Sequence, residues 1–248
     1  MTATITHIGG PTTLIEVAGL RLLTDPTFDA PGRRYSFGLG TSSVKTTGPA
    51  VPAETLGRID AILLTHDHHS DNLDDAGRAL LPTVPLVLTT ASGARRLGGN
   101  ARGLEPWQES SVGDLTVTAT PARHGPPLSR GLVGDAIGFA LRPPGSTSVI
   151  WISGDTVLYG GVRRVATRFT VDTAILHLGS VQFGLTGPLR YTMTGRDGAR
   201  LIAELRPRRV VPVHYEGWSH FHEGRAAVEA AFPPDVLTWL TPGVPQTI

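Results

Sequence analysis

The chain contains no cysteine. Disulfides and thiolate ligands are therefore excluded, and any metal it holds must be bound through nitrogen and oxygen. Lysine is almost absent: Lys45 is the only one, and arginine supplies the rest of the positive charge. That bias reads as the base composition of the gene rather than as phosphate recognition. Net charge is +1, without the positive excess that nucleic-acid binding leaves on a sequence. No stretch approaches the ~18 apolar residues of a membrane helix. The N-terminal residues Met1 to His7 have neither a basic start nor a long apolar run, so an ordinary signal peptide is not expected. A Gly-x-Gly-x-x-Gly loop before a helix, a Gly-x-Ser-x-Gly elbow and repeats of roughly 20–50 residues are also missing.

What is present is a globular composition of 248 residues, 40% hydrophobic and 17% charged. It fits one domain, 1–248. The expected setting is the cytoplasm and the expected partner a small-molecule substrate, not nucleic acid and not a membrane, with a homo-oligomer left open.

Against that background the segment Thr65-His66-Asp67-His68-His69-Ser70-Asp71-Asn72-Leu73-Asp74 stands out. It gathers three histidines and three carboxylates directly after Ile59–Leu64, an apolar run that reads as a buried strand. A loop at a strand end can aim several side chains at one point. Neutral imidazoles and ionised carboxylates are ligands for zinc, manganese or iron. The other reading is a polar cap for the helix expected over Asp74–Leu81, but a cap needs one Asp or Asn and gains nothing from three histidines.

Further strand ends carry further candidates. Strands are expected at Thr2–Ile8, Thr12–Val17 and Leu20–Thr24, the last ending in Asp25-Pro26. Asp25 is either an acceptor for a ligand histidine or a plain Asp-Pro turn. Residues 26–58 lack periodicity, and so long a loop reads as a roof over a pocket, with Arg33, Arg34 and Tyr35 as substrate contacts or as a solvated turn. A strand at Leu115–Thr120 leads to Arg123-His124; one at Ser148–Ser153 leads to Gly154-Asp155; one at Arg209–Val213 leads to His214-Tyr215. Arg123 could bind a substrate anion or pair with a carboxylate. His177, near the end of Val171–Leu178, is either a pocket acid or a packed core residue. His220 and His222, near His214 in the chain, either line the pocket or take surface or capping roles, the latter preferred. Thr194 with Asp197 marks a capped helix to about Leu205. Ser92 is expected to cap a short helix, and Val236–Leu240 to form a closing strand.

Taken together, Thr24-Asp25-Pro26, Thr65-His66, Asp71-Asn72-Leu73-Asp74, Pro121-Ala122-Arg123-His124, Gly154-Asp155-Thr156 and Pro212-Val213-His214 resemble the metallo-β-lactamase superfamily. The branch they look most like is the ascorbate-phosphate lactonase-like one. The histidine motif has one extra residue. Counted from the left, His66 and His68 are the paired histidines. Counted from the right, His69 and Asp71 fall in register, with Asp67 in the first histidine's place and Asn72 in the last. The right-hand register is preferred, with a bulge that lets His66 reach the metal.

The resemblance implies an α/β, four-layer αββα sandwich in a single domain. It implies two divalent metal ions, zinc or manganese, with one ion as the alternative. His66 or Asp67, His69 and His124 would hold the first, with His68 a further candidate. Asp71 and His214, with Asn72, would hold the second, and Asp155 would bridge. The implied reaction is attack by a metal-bound hydroxide, oriented by Asp71, on a lactone, ester, amide or phosphoester. Asp71 and Asp155 would be the catalytic carboxylates, and Arg123, His177 and Tyr215 the substrate-contact candidates. A mononuclear metal-binding sensor and a nuclease are the alternatives.

Overall fold

The computed structural model describes residues 2–38 and 40–248; Met1, in the N-terminal stretch read above, and Leu39, in the 26–58 stretch, lie outside them. Among the described residues two large sheets lie face to face. The first has, in spatial order, β15 (Gln246–Thr247), β1 (Ala3–Gly9), β2 (Thr12–Val17), β3 (Leu20–Thr24), β6 (Ala61–Leu63), β7 (Val87–Thr90) and β8 (Ala101–Leu104). The second runs β14 (Arg209–Val213), β13 (Thr170–His177), β12 (Ser148–Ile152), β11 (Ile137–Arg142), β10 (Leu115–Pro121) and β9 (Glu109–Val112). β3, β6, β7 and β8 pair in parallel, as do β12, β13 and β14. Parallel neighbours need crossover connections, and these place helices on the outer faces.

The strands are apolar on both faces, so neighbouring residues feed different cores. Ile5, Ile15, Leu22 and Leu63 meet Val117, Phe139, Ile150 and Ile175 between the sheets. Leu14, Leu23, Ile62 and Val87 point the other way, beneath α1 (Asp75–Leu80) and α2 (Ala91–Leu97). On the far side, Trp151, Ala174, Leu176 and Val210 pack against the helices flanking the second sheet. The four-layer αββα sandwich implied by the resemblance is present, as a single domain. No helix among the described residues is long and apolar enough to cross a membrane.

Several elements differ from expectation. The unpatterned 26–58 stretch contains a hairpin, β4 (Arg34–Gly38) and β5 (Thr41–Val44). Val236–Leu240 is no strand: Leu237 makes an isolated bridge with Val210, and the edge strand is Gln246–Thr247. Pro233, Pro234, Pro242 and Pro245 surround that segment and remove ladder donors. Thr90, not Ser92, caps α2, its hydroxyl accepting from the Gly93 amide. A short helix, α3 (Arg130–Val133), and the pair α4 (Gly160–Arg163) and α5 (Val165–Arg168) had no sequence signal. Beyond them, α6 (Gly195–Leu205) has the expected Thr194–Asp197 capping box, and α7 (Arg225–Ala231) follows the final strand of the second sheet. β3, β6, β10, β12, β13 and β14 all deliver their C-terminal ends to one edge, where parallel α/β sheets form their crevice.

Candidate metal centre

Asp25, at the end of β3, anchors the histidine-rich loop. Its carboxylate accepts from the Thr65 amide at 2.7 Å and the Thr65 hydroxyl at 3.0 Å. With its proton donated to Asp25, the Thr65 hydroxyl can only accept from His66 Nδ1, 3.1 Å away. That fixes the tautomer and leaves a lone pair on His66 Nε2. His124 is set in the same way, Nδ1 donating to the Tyr191 carbonyl at 2.8 Å, and His214 donates from Nδ1 to the Leu178 carbonyl at 3.2 Å. Gly154 turns the chain into Asp155 at φ +61°, and a Cβ there would lie 2.4 Å from the Ile137 carbonyl oxygen, so only glycine fits.

Two donor clusters result. His69 Nδ1 lies 3.2 Å from His66 Nε2 and 2.8 Å from His124 Nε2. One proton can serve only one of these contacts; the remaining lone pairs face each other. In the second cluster, His214 Nε2 is 3.4 Å from Asp71 Oδ2 and 3.4 Å from Asp155 Oδ2. Both Asp155 oxygens, Asp71 Oδ1 and His214 Nε2 are buried without a hydrogen-bond partner. Orphaned polar atoms of this kind are costly in a protein interior, and a shared cation would satisfy them. His124 Nε2 and Asp155 Oδ2, 3.9 Å apart, join the clusters. The set of imidazoles and carboxylates fits a borderline divalent metal.

The charges agree with that use. Burial, with the neighbouring imidazoles, holds His66 and His69 well below the ordinary histidine range, and burial lowers His124 to about 4. Their rings are neutral and free to accept a cation. In the second cluster burial disfavours the His214 cation, but Asp155 and Asp71 outweigh it and push its pKa up to about 9. Burial raises Asp155 to about 6, although His214 and His177 oppose the shift.

The structure thus brings together His66, His69, Asp71, His124, Asp155 and His214. It does not bring His68 there: His68 Nε2 donates to the Val133 carbonyl, tying the loop to α3. Asp67 is also turned away, gripped by Arg96 through Nε at 2.9 Å and Nη2 at 2.5 Å. His66 and His69 therefore bracket a two-residue bulge that faces the helices. Asn72 donates to the Thr65 hydroxyl at 3.3 Å.

The substrate-contact candidates fare differently. His177 is a packed core residue, fully buried, its Nε2 donating to Asp25 Oδ2 at 3.2 Å. Tyr215 lies in the outer core with its ring 5.2 Å from Trp239, away from the clusters. Arg123 lies over the Tyr159 ring at 4.6 Å and lines a neighbouring cavity of about 320 Å³. Arg33 pairs with Asp75, Arg34 donates to Ser42, and the Tyr35 hydroxyl donates to Asp29 at 2.6 Å.

The space beside the clusters is a cavity of about 40 Å³ lined by Phe37, Leu132, Val133, Phe183, Tyr191 and His220 together with His69, Asp71 and His124. The 26–58 stretch does roof it, but through Phe37, whose ring is 5.6 Å from that of His69. His220 takes the pocket-lining alternative rather than the preferred surface or capping role: it is 4% exposed and contacts Asp71 Oδ2 at 2.9 Å. Its Trp-Ser-His-Phe setting carries no ligand-like signal; only its nearness to His214 in the chain hinted at the site.

A profile of the beta-lactamase superfamily domain matches residues 20–215. A UPF0173 metal-dependent hydrolase of Pyrobaculum neutrophilum is 31% identical over 219 residues, covering 82% of this chain and 79% of that protein. A metal-dependent hydrolase of Pelotomaculum thermopropionicum is 28% identical over 198 residues, covering 75% and 81%. Among solved structures, the isothiocyanate hydrolase from Delia radicum gut bacteria superposes with a TM-score of 0.82 at 25% identity, over 99% of this chain and 98% of that one. The metallo hydrolase Igni18 of Ignicoccus hospitalis shares the fold, with a TM-score of 0.71 at 20% identity over 100% and 99%. With two donor clusters at the strand-end edge and matches spanning most of its length, the chain belongs to the metallo-β-lactamase superfamily, among its metal-dependent hydrolases.

Proposed function

We propose that this metal-dependent hydrolase cleaves a small neutral ester or lactone, with an amide as the slower variant of the same chemistry. The observation that carries the reading is the wall beside the two clusters. Phe37, Phe183, Tyr191, Leu132 and Val133 form it, and no described residue of that lining is lysine or arginine. A phosphoester would bring charge that calls for a cationic clamp; an uncharged acyl group does not. A cavity of about 40 Å³ admits the reacting group, while Leu132, 71% exposed, extends apolar surface outward for a substituent.

Two divalent ions, zinc or manganese, are the proposed cofactors. His66, His69 and His124 would hold one, Asp71 and His214 the other, with Asp155 between them. When bound, such ions supply the Lewis acidity that makes water a nucleophile near neutral pH. The chain's own contribution is positional. Asp71 and Asp155 are the proposed catalytic carboxylates: Asp71, buried beside His214 and Asp155, would orient the attacking water. The aromatic wall keeps bulk water out and selects an uncharged substrate.

The second reading concerns the electrophile. The neighbour from Delia radicum gut bacteria is named an isothiocyanate hydrolase. The central carbon of an isothiocyanate is open to water as a carbonyl carbon is, and the same apolar wall suits it. In either case the partner is a small molecule, acted on in the cytoplasm without nucleic acid or membrane. A homo-oligomer is compatible with this reading.

The test combines elemental analysis with a panel of neutral esters, lactones, amides, isothiocyanates and phosphodiesters. Two metal equivalents and turnover of the neutral members are expected. A preference for phosphodiesters refutes the substrate class, and bound metal without any turnover favours the sensor. The double variant Asp155→Ala/His214→Ala is expected to lose metal and turnover together.

A further inference from the structure

His220 belongs to neither donor cluster yet touches one of them. It is buried, stacked on Phe183 at 5.0 Å and 11°, with the Phe37 ring at 4.9 Å. Its Nε2 lies 2.9 Å from Asp71 Oδ2. The carboxylate oxygen is the acceptor of this contact. Nε2 must then carry the proton, and in the neutral ring Nδ1 accepts from the Ser43 hydroxyl. The Ser43 oxygen in turn accepts from Ser219 at 3.1 Å, and the Ser219 oxygen accepts from the Val44 amide at 2.9 Å. Every donor in this chain points the same way, from the roof hairpin to the carboxylate.

We propose that His220 is a positioning residue of the metal centre: held by Ser43 of the roof hairpin, it binds Asp71 Oδ2 and so fixes the Asp71 carboxylate in the orientation the second donor cluster needs. The inference rests on the metal-centre reading above. It explains two observations at once. Asp71 has one oxygen held by His220 and one buried without a partner, an arrangement that a cation beside the carboxylate would complete. The second cluster also has a single imidazole, His214, because Asn72 stands where the resemblance places another histidine. With so few donors, the orientation of Asp71 counts for more. The relay further makes the roof and the metal centre interdependent, since Ser43 and Phe37 lie on the same hairpin.

The experiment is a cobalt(II) titration of the metal-free protein, read by calorimetry and by the visible absorption of the bound ion. His220→Ala is expected to weaken the second equivalent roughly 10- to 100-fold and to leave the first unchanged. His220→Gln offers an amide N–H near the position of Nε2–H; it is expected to recover affinity to within about threefold, with the absorption bands unaltered. Ser43→Ala is expected to fall between the two. If His220→Ala fails to fold, the Gln and Ser43 variants carry the test. Wild-type affinity in His220→Ala overturns the proposal. So does a His220→Gln protein as weak as the alanine variant, since the imidazole would then itself be a ligand. A wild-type protein that takes up no cobalt overturns the metal-centre reading instead.

Discussion

Lys45→Met tests whether the chain's only lysine holds the roof to the metal loop. Lys45 Nζ lies 2.7 Å from Asp74 Oδ2, with the two side chains 3% and 0% exposed. Asp74 closes the histidine loop and caps α1; it also accepts from the amides of Phe28 at 2.9 Å, Asp29 at 2.7 Å and Gly77 at 2.8 Å. Lys45 is the residue after β5, bridged to Trp218 in the segment that carries His220. Methionine keeps the length and the apolar stem but strands the carboxylate. Breaking a buried pair from one side costs ~3–5 kcal/mol. Three amides still satisfy Asp74, so the low end applies, about 3 kcal/mol. For a domain of this size that corresponds to a fall in Tm of about 6–12 °C. Urea unfolding of the metal-free protein gives the free energy directly. The double variant with Asp74→Asn removes the stranded charge, and its loss is expected to be less than additive by about 1–2 kcal/mol. A Lys45→Met protein within about 0.5 kcal/mol of wild type, or strict additivity in the double variant, would refute the argument.

Other outcomes follow from the same geometry. Asp67→Asn should keep the full metal content and lose at most about 1 kcal/mol, because its partner Arg96 has a half-exposed side chain; loss of a metal equivalent by elemental analysis would return Asp67 to the ligand set. Phe37→Ala should leave metal content unchanged but lower kcat/KM on a neutral substrate by roughly 5- to 30-fold, the cost of about 1–2 kcal/mol of apolar contact; unchanged kinetics would remove Phe37 from the substrate wall. Chelation should destabilise the protein, because the unpartnered atoms of Asp71, Asp155 and His214 then face one another. Restoring metal to a thousand times its Kd should return about 4 kcal/mol, or a Tm rise of about 8–16 °C; a Tm indifferent to metal would mean the clusters bind none.

How much of this could be read beforehand depends on how local each signal is. The layers follow from strands that are apolar on both faces, and residues such as Leu22 and Leu23 show this in sequence. His124, Asp155 and His214 each sit one to three residues past a strand that is itself legible, so position along the chain sets position in space. Within the histidine loop that rule fails. Thr65 to His69 leave the sheet in no regular conformation, and which side chains turn inward is decided by contacts from elsewhere. Arg96 on α2 takes Asp67, and Val133 at the end of α3 takes His68. Neither partner lies near the loop in sequence, so no register count could separate His66 from Asp67.

His220 shows the same limit from the other side. A histidine seven residues beyond a strand end carries no periodic or motif signal. Its place is set by Ser43, 177 residues away, in a hairpin whose alternation of Tyr35, Phe37 and small polar residues was too weak to read as a strand. Atoms that must face a cation come from short motifs at strand ends. Atoms that merely orient them can come from anywhere the fold brings a donor within reach. A centre with Asn72 in an imidazole's place depends more on that second group, and the first place to look for compensation is the carboxylate beside it. Asp71 is that carboxylate, and His220 is what holds it.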